Sequence, residues 1–160
     1  MTGIKFICVG RMREKYLIDA FAEYRKRLGG YCRFELSEIE EQRLPERPSE
    51  NEIKAALSKE AADIEKNIPK DAYVVAMCIE GRQKSSEQLS ELVAERKNSG
   101  KPRMCFIIGG SYGLSDSIKK RSDLKLSMSE MTFPHHLARV MLAEQVYRAF
   151  KIMEGSRYHK

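Results

Sequence analysis

The chain has 160 residues, 42% of them hydrophobic and 32% charged, with a formal net charge of +6. That length and balance suit one folded domain with its own core and exclude a fibrous, low-complexity or intrinsically disordered chain. The basic surplus favours anionic partners, nucleic acid among them, without selecting one, and no apolar run reaches the roughly 18 residues needed to span a bilayer as a helix.

Ile4 to Val9 reads as a short buried strand ended by Gly10. From Glu14 to Leu28, the apolar Leu17, Ile18, Phe21, Tyr24 and Leu28 recur at helical spacing, and Gly29-Gly30 is the stop. Arg33 to Ile39 is a second strand, near a sheet edge, and Glu40 to Ser49, with two prolines and several charges, is a surface loop. Ser49 and Glu52 make a capping box for a helix to Asn67, which Pro69 closes. The continuous apolar run Ala72 to Ile79 predicts a central parallel strand buried on both faces and ending at Glu80-Gly81. Ser85 or Ser86 caps a helix to about Asn98 that faces Leu89, Leu92 and Val93 inward. Met104 to Ile108 is another strand, Ser115 starts a short helix, and Lys125 to Met128 is a brief extended segment. Pro134 suits the first turn of a long helix from His135 to about Glu154. Strands alternating with helices predict an α/β architecture with a mostly parallel sheet, as one domain over residues 1–160.

Cys8, Cys78 and Cys105 sit in apolar runs and read as small buried hydrophobes, while Cys32 stands apart. With no C-x-x-C pair, neither a disulfide framework nor a zinc site is supported. His135 and His136 are adjacent, so on a helix they point about a hundred degrees apart and chelate poorly; no metal is expected. Met1 to Gly10 lacks the features of a secretory signal, and a cytoplasmic protein is expected.

Gly109-Gly110-x-x-Gly113 follows a strand, where glycines let a ligand approach the backbone closely; a tight turn with no ligand explains them equally well. Neither G-x-G-x-x-G nor a P-loop is present. Ser127 to His136, SMSEMTFPHH, sets hydroxyls beside apolar side chains, which suits a pocket for an adenine, although Met131 and Phe133 serve equally as core residues. Arg139 and Arg148 lie on the last helix, where a basic face is ordinarily solvated. Terminal residues commonly fray, yet Tyr158 and His159 place an aromatic ring and an imidazole in a cationic tail, the materials for stacking a flipped-out base and handling its proton.

From Phe106 to Lys160 the elements IGG-x-x-GL, MTFPH, EQVYRAFKI and YHK occur in one order, with weaker agreement at VGRMREKY and in the strand before Gly81. Over essentially its whole length the chain resembles the RlmH family, ribosomal RNA large-subunit methyltransferases of the SPOUT class. The resemblance implies an α/β knot with a C-terminal trefoil, a threading that no periodicity would predict. It implies S-adenosylmethionine as cofactor, held by Met77, Gly110, Ser129, Glu130, Met131, Thr132, Phe133 and Pro134. Met77 replaces a leucine often found there, a swap of similar volume.

The resemblance further implies a homodimer with Arg148, Tyr158 and His159 as catalytic residues. The substrate it implies is large-subunit ribosomal RNA within an assembled ribosome, with methylation at N3 of a pseudouridine in the helix 69 loop of 23S RNA. On this reading His159 accepts the N3 proton, Tyr158 helps hold the base, and Arg148 stabilises the anionic imide or anchors a phosphate. A knotted methyltransferase acting on another RNA such as transfer RNA, and a non-catalytic RNA-binding or ribosome-associated module of the same fold, are the rival expectations.

Overall fold

A computed structural model describes residues 1–160. The elements in chain order are β1 (Thr2–Val9), α1 (Lys15–Leu28), β2 (Cys32–Ile39), α2 (Glu50–Asn67), β3 (Ala72–Gln83), α3 (Ser86–Lys97), β4 (Arg103–Ile108), α4 (Asp116–Arg121), β5 (Leu124–Ser127) and α5 (His135–Met153). All strand pairings are parallel, in the order β2-β1-β4-β3-β5. The expected capping box forms, Ser49 with Glu52 opening α2, and of the two candidate serines Ser85 caps α3, completing a second box with Gln88. β2 lies at an edge, as its looser pattern predicts.

Because successive strand residues point to opposite faces, the apolar strands feed two cores. Ile4, Phe6, Cys8, Met104 and Phe106 pack against Leu17 and Phe21 of α1, Leu89 and Val93 of α3, and Leu142 and Val146 of α5. Ile7, Val9, Val74, Cys105 and Ile107 pack against Ala61 and Ile64 of α2 and Ile118 of α4. The chain leaves β1 toward one edge of the sheet and β4 toward the other, so their carboxyl ends flank a crevice of the kind α/β sheets open at such points.

Four expectations are corrected here. β3 does not stop at Glu80-Gly81 but runs to Gln83, because its pairing with β5 breaks after Met77 and resumes at Arg82. A Cβ on Gly81 would lie 2.7 Å from the Lys125 carbonyl carbon, so only glycine lets the extended β3 press against β5. Cys32 is buried and Cys78 only half-buried, since Cys32 faces the α1 side of the sheet whereas Cys78 falls where the strand leaves the core. Arg139 is not on a solvated face: it is 1% exposed.

Arg139 joins the last helix to the ends of the edge strand β2 and of β1. Its guanidinium donates to Glu38 Oε2 at 2.8 Å and to the Gly10 carbonyl at 2.9 Å, while Gly10, at φ 90°, donates to the Ile39 carbonyl at 2.7 Å. The start of α5 is thereby tied to the ends of β1 and β2. Removing the carboxylate from Glu38 leaves a buried guanidinium without its counter-charge, so Glu38→Ala should lower the unfolding free energy by about 3 kcal/mol in urea titrations. A loss under about 1 kcal/mol would show that the pair does not hold α5 in place.

Candidate active site

β4 runs directly into a turn that closes on itself. Gly113, at φ 78°, donates to the Gly110 carbonyl at 3.0 Å, and the two residues form an isolated bridge. A Cβ on Gly109 would collide with the Gly113 backbone, whereas one on Gly110 would meet only the Glu41 carboxylate, at 3.1 Å and beyond. The steric requirement for glycine therefore falls on Gly109, while Gly110, which the resemblance puts forward as a cofactor contact, has room for a methyl group once Glu41 shifts.

Opposite this turn lies the segment from Ser127 to Pro134, folded by its own hydroxyls. Ser127 Oγ donates to the Ser129 carbonyl at 3.0 Å, and the Met131 N–H donates to Ser129 Oγ at 3.0 Å. Pro134 then accepts from the Ala138 N–H at 2.9 Å to start α5. Turn and segment enclose a cavity of about 780 Å³ with Met77, Ile108, Leu114, Leu126 and Phe133 among its apolar walls. Met77, Gly110, Ser129, Met131, Thr132, Phe133 and Pro134 all line it; Glu130 is exposed and lies outside the lining. Met131, 73% exposed, belongs to the rim and not to the core. Half-burial beside the Glu80 carboxylate pushes the Cys78 thiol in this wall up, so it stays protonated and apolar in character.

Arg148, Tyr158 and His159 come together elsewhere, and Glu144, the first residue of the EQVYRAFKI element, to which the sequence assigns no role, is their hub. Glu144 accepts from Arg148 Nη2 at 2.7 Å and from the Tyr158 hydroxyl at 2.9 Å. The Arg148 guanidinium lies over the Tyr158 ring at 4.7 Å, and that ring meets Tyr147 edge-on at 5.1 Å. Arg148 Nη1 lies 3.2 Å from His159 Nδ1, and His159 Nε2 lies 2.7 Å from Glu87 Oε1. An arginine only donates, so Nδ1 accepts and Nε2 carries the proton shared with Glu87. The tail is held in place because the Tyr158 and His159 side chains have partners on α5 and α3. The i, i+4 spacing of Glu144 and Arg148 was the one available signal for the hub.

None of these three residues lines the 780 Å³ cavity. They adjoin a smaller one of about 400 Å³, lined by Glu144, Gln145 and Met141, which shares Met77, Leu126, Ser127 and Met128 with the larger. Burial, and then the hydrogen bond to Glu144, push the Tyr158 phenol up to about 12, so at neutral pH it is a donor and not a base. No cluster of three or more His, Cys, Asp or Glu side chains is arranged to hold a metal ion, and no helix is long and apolar enough to cross a membrane.

Residues 2–159 match a family model described as "Predicted SPOUT methyltransferase". Ribosomal RNA large subunit methyltransferase H of Bacillus pumilus is 46% identical over 158 residues, covering 99% of both chains. The protein of the same name from Listeria monocytogenes is 44% identical over 158 residues, again covering 99% of each. Among solved structures, a "Probable Methyltransferase" from Bordetella pertussis Tohama I superposes with a TM-score of 0.61 at 12% identity, covering 93% of this chain and 95% of its own. A tRNA methyltransferase from Aquifex aeolicus does so with a TM-score of 0.53 at 18% identity, covering 91% and 69%. These structural likenesses establish the shared fold.

Two outcomes follow from this geometry. Gly109→Ala should force the turn open and speed hydrogen exchange of the Gly113 amide by roughly tenfold or more, a loss of local protection, while Gly110→Ala need only displace Glu41; equal exchange in both variants would contradict the assignment. In an ultraviolet titration one tyrosine should ionise near 12, and Glu144→Gln should bring it back toward the ordinary value of 10.0; an unmoved transition would detach Tyr158 from Glu144.

Proposed function

The chain belongs to the SPOUT methyltransferases, in the ribosomal RNA large subunit methyltransferase H family, and from that membership we propose that it methylates large-subunit ribosomal RNA with S-adenosylmethionine as donor. The reading extends to N3 of a pseudouridine in the helix 69 loop of 23S RNA, to an assembled ribosome in the cytoplasm as substrate, and to a C-terminal trefoil knot. One observation carries it: seven of the eight residues predicted for the cofactor surround a single cavity between the glycine turn and residues 127–134. Apolar walls from Met77, Leu126 and Phe133 suit an adenine face, and the Ser127–Pro134 backbone suits its polar edge. The donor, when bound, supplies an electrophilic methyl group.

A protonated imide nitrogen is a poor nucleophile, so the N3 proton must be taken up or shared. His159 is the acceptor in this proposal, and its lone-pair nitrogen is covered by Arg148 in the isolated chain. Release of that contact as RNA arrives would free the imidazole and the guanidinium together, the first for the proton and the second for the imide anion or a phosphate. Tyr158, protonated, would hold the base by stacking or donation.

The proposed catalytic residues do not reach the donor cavity of their own chain, which supports a homodimer in which the tail of one copy faces the cavity of the other. Ile79, Tyr112, Met131 and Leu137 are exposed apolar side chains on or near the cavity, and a second copy would cover them.

Ribosomes from cells lacking this protein should accept labelled methyl groups from the donor in its presence, and mass mapping should place them on one pseudouridine. His159→Ala should lower the transfer rate by roughly a hundredfold, as loss of a proton acceptor does, with donor affinity by calorimetry nearly intact. Labelling of transfer RNA alone would overturn the substrate assignment, and undiminished turnover in the variant would remove His159 from the chemistry.

A further inference from the structure

A cavity larger than the one assigned to the donor lies nearby. On the other side of the glycine turn, at the carboxyl ends of β1 and β4, lies a crevice of about 1230 Å³ that shares Gly110, Ser111, Tyr112 and His135 with the donor cavity. Its outer residues Arg11, Arg13 and Arg43 are exposed, and none makes a hydrogen bond, ion pair or aromatic contact within the chain. Most other arginines do; these three are free cations around one opening.

The inner wall is different. Glu41 lies against the glycines that follow both strands: a Cβ on Gly10 would be 3.1 Å from its Oε2, and one on Gly110 would be 3.1 Å from its carboxyl carbon. Its one hydrogen bond, from Ser111 Oγ, is long at 3.5 Å. The same point above Gly10 is 3.6 Å from His136 Nε2, a buried nitrogen with no partner. The exposed Glu41 carboxylate thus has hydrogen-bonding capacity unspent toward the crevice, with the buried His136 nitrogen behind it. Of the other carboxylates of the lining, Glu38 is committed to Arg139 and Glu60 to the Gln42 N–H, while the exposed Glu14 and Glu40 make no ion pair within the chain. Tyr112, 48% exposed at the tip of the turn, fronts both cavities.

We propose that this crevice is a nucleotide subsite for the RNA substrate: Glu41 reads the N–H edge of a base, Tyr112 stacks on it, and Arg11, Arg13 and Arg43 hold the flanking phosphates. A carboxylate accepts from the paired donors of a base edge, an exposed tyrosine offers a face to any base, and unpaired guanidiniums match phosphate oxygens. An anionic small molecule would meet the Glu41 carboxylate at its centre, which disfavours it; an RNA segment brings donors to the wall and charge to the rim. The shared turn would set this nucleotide beside the one receiving the methyl group. The proposal rests on the RNA methyltransferase reading.

The test is steady-state methyl transfer to ribosomes from cells lacking the protein, with donor affinity measured separately by calorimetry. Arg11→Glu combined with Arg13→Glu should raise KM for ribosomes by about tenfold or more and flatten the salt dependence by roughly 0.7 logarithmic units per lost phosphate contact, leaving donor affinity within about twofold. Glu41→Gln should also raise KM, because the base edge loses its acceptor. If Glu41→Gln is silent while the arginine variant fails, the crevice reduces to a phosphate patch and the subsite is overturned. Unchanged KM in both overturns it outright, with the enzymatic reading intact. Wild-type protein that transfers no methyl group at all would overturn that reading and the subsite with it.

Discussion

A side chain at position 109 would run into the backbone of Gly113, so β4 can turn back on itself only with glycine there. That contact keeps the turn thin, and its two faces line the crevice of about 1230 Å³ and the cavity of about 780 Å³. Everything proposed about binding depends on this geometry. On one side residues 127–134 close over the turn; on the other, Glu41 fills the space that Gly10 and Gly110 leave open. The Arg139 guanidinium, buried between Glu38 and the Gly10 carbonyl, keeps α5 aligned with both, because it fixes the helix that follows the 127–134 segment to the strand that precedes the crevice.

The tail presents a second constraint of the opposite kind. Tyr158 and His159 spend their hydrogen bonds on Glu144, Arg148 and Glu87, side chains of the same molecule. A group with its lone pair covered is ordered but idle. Proton uptake by His159 therefore requires exchange of the Arg148 contact for one with substrate, and the ion pairs holding the tail are partly exposed, where such contacts contribute about 1 kcal/mol or less. That is small beside the binding energy of a large RNA, so the arrangement can order the tail in the free protein and still yield.

Much of the fold was legible because its signals are local. Hydroxyl caps at Ser49, Ser85 and Ser115 mark helix starts, and the apolar runs of β1, β3 and β4 mark strands buried on both sides. What was not legible depends on partners distant in sequence. Glu80 to Gln83 looks polar enough to be a loop, yet it pairs with β5 because Gly81 allows the backbones to touch. Arg139 reads as a surface cation until Glu38, about a hundred residues earlier, is placed beside it. The residues that the family pattern proposes for the cofactor line one cavity, Glu130 excepted; the Glu144–Arg148 spacing was visible, but its link to Tyr158 was not, and nothing pointed to the crevice around Glu41.

The central claim is that the cavity between the glycine turn and residues 127–134 seats the methyl donor. A crystal structure with S-adenosylhomocysteine tests it most directly. The account predicts adenine against Met77 and Phe133, with the sugar and amino-acid portion extending along the glycine turn. Electron density for the ligand at any other place, or none at saturating concentration, would contradict it.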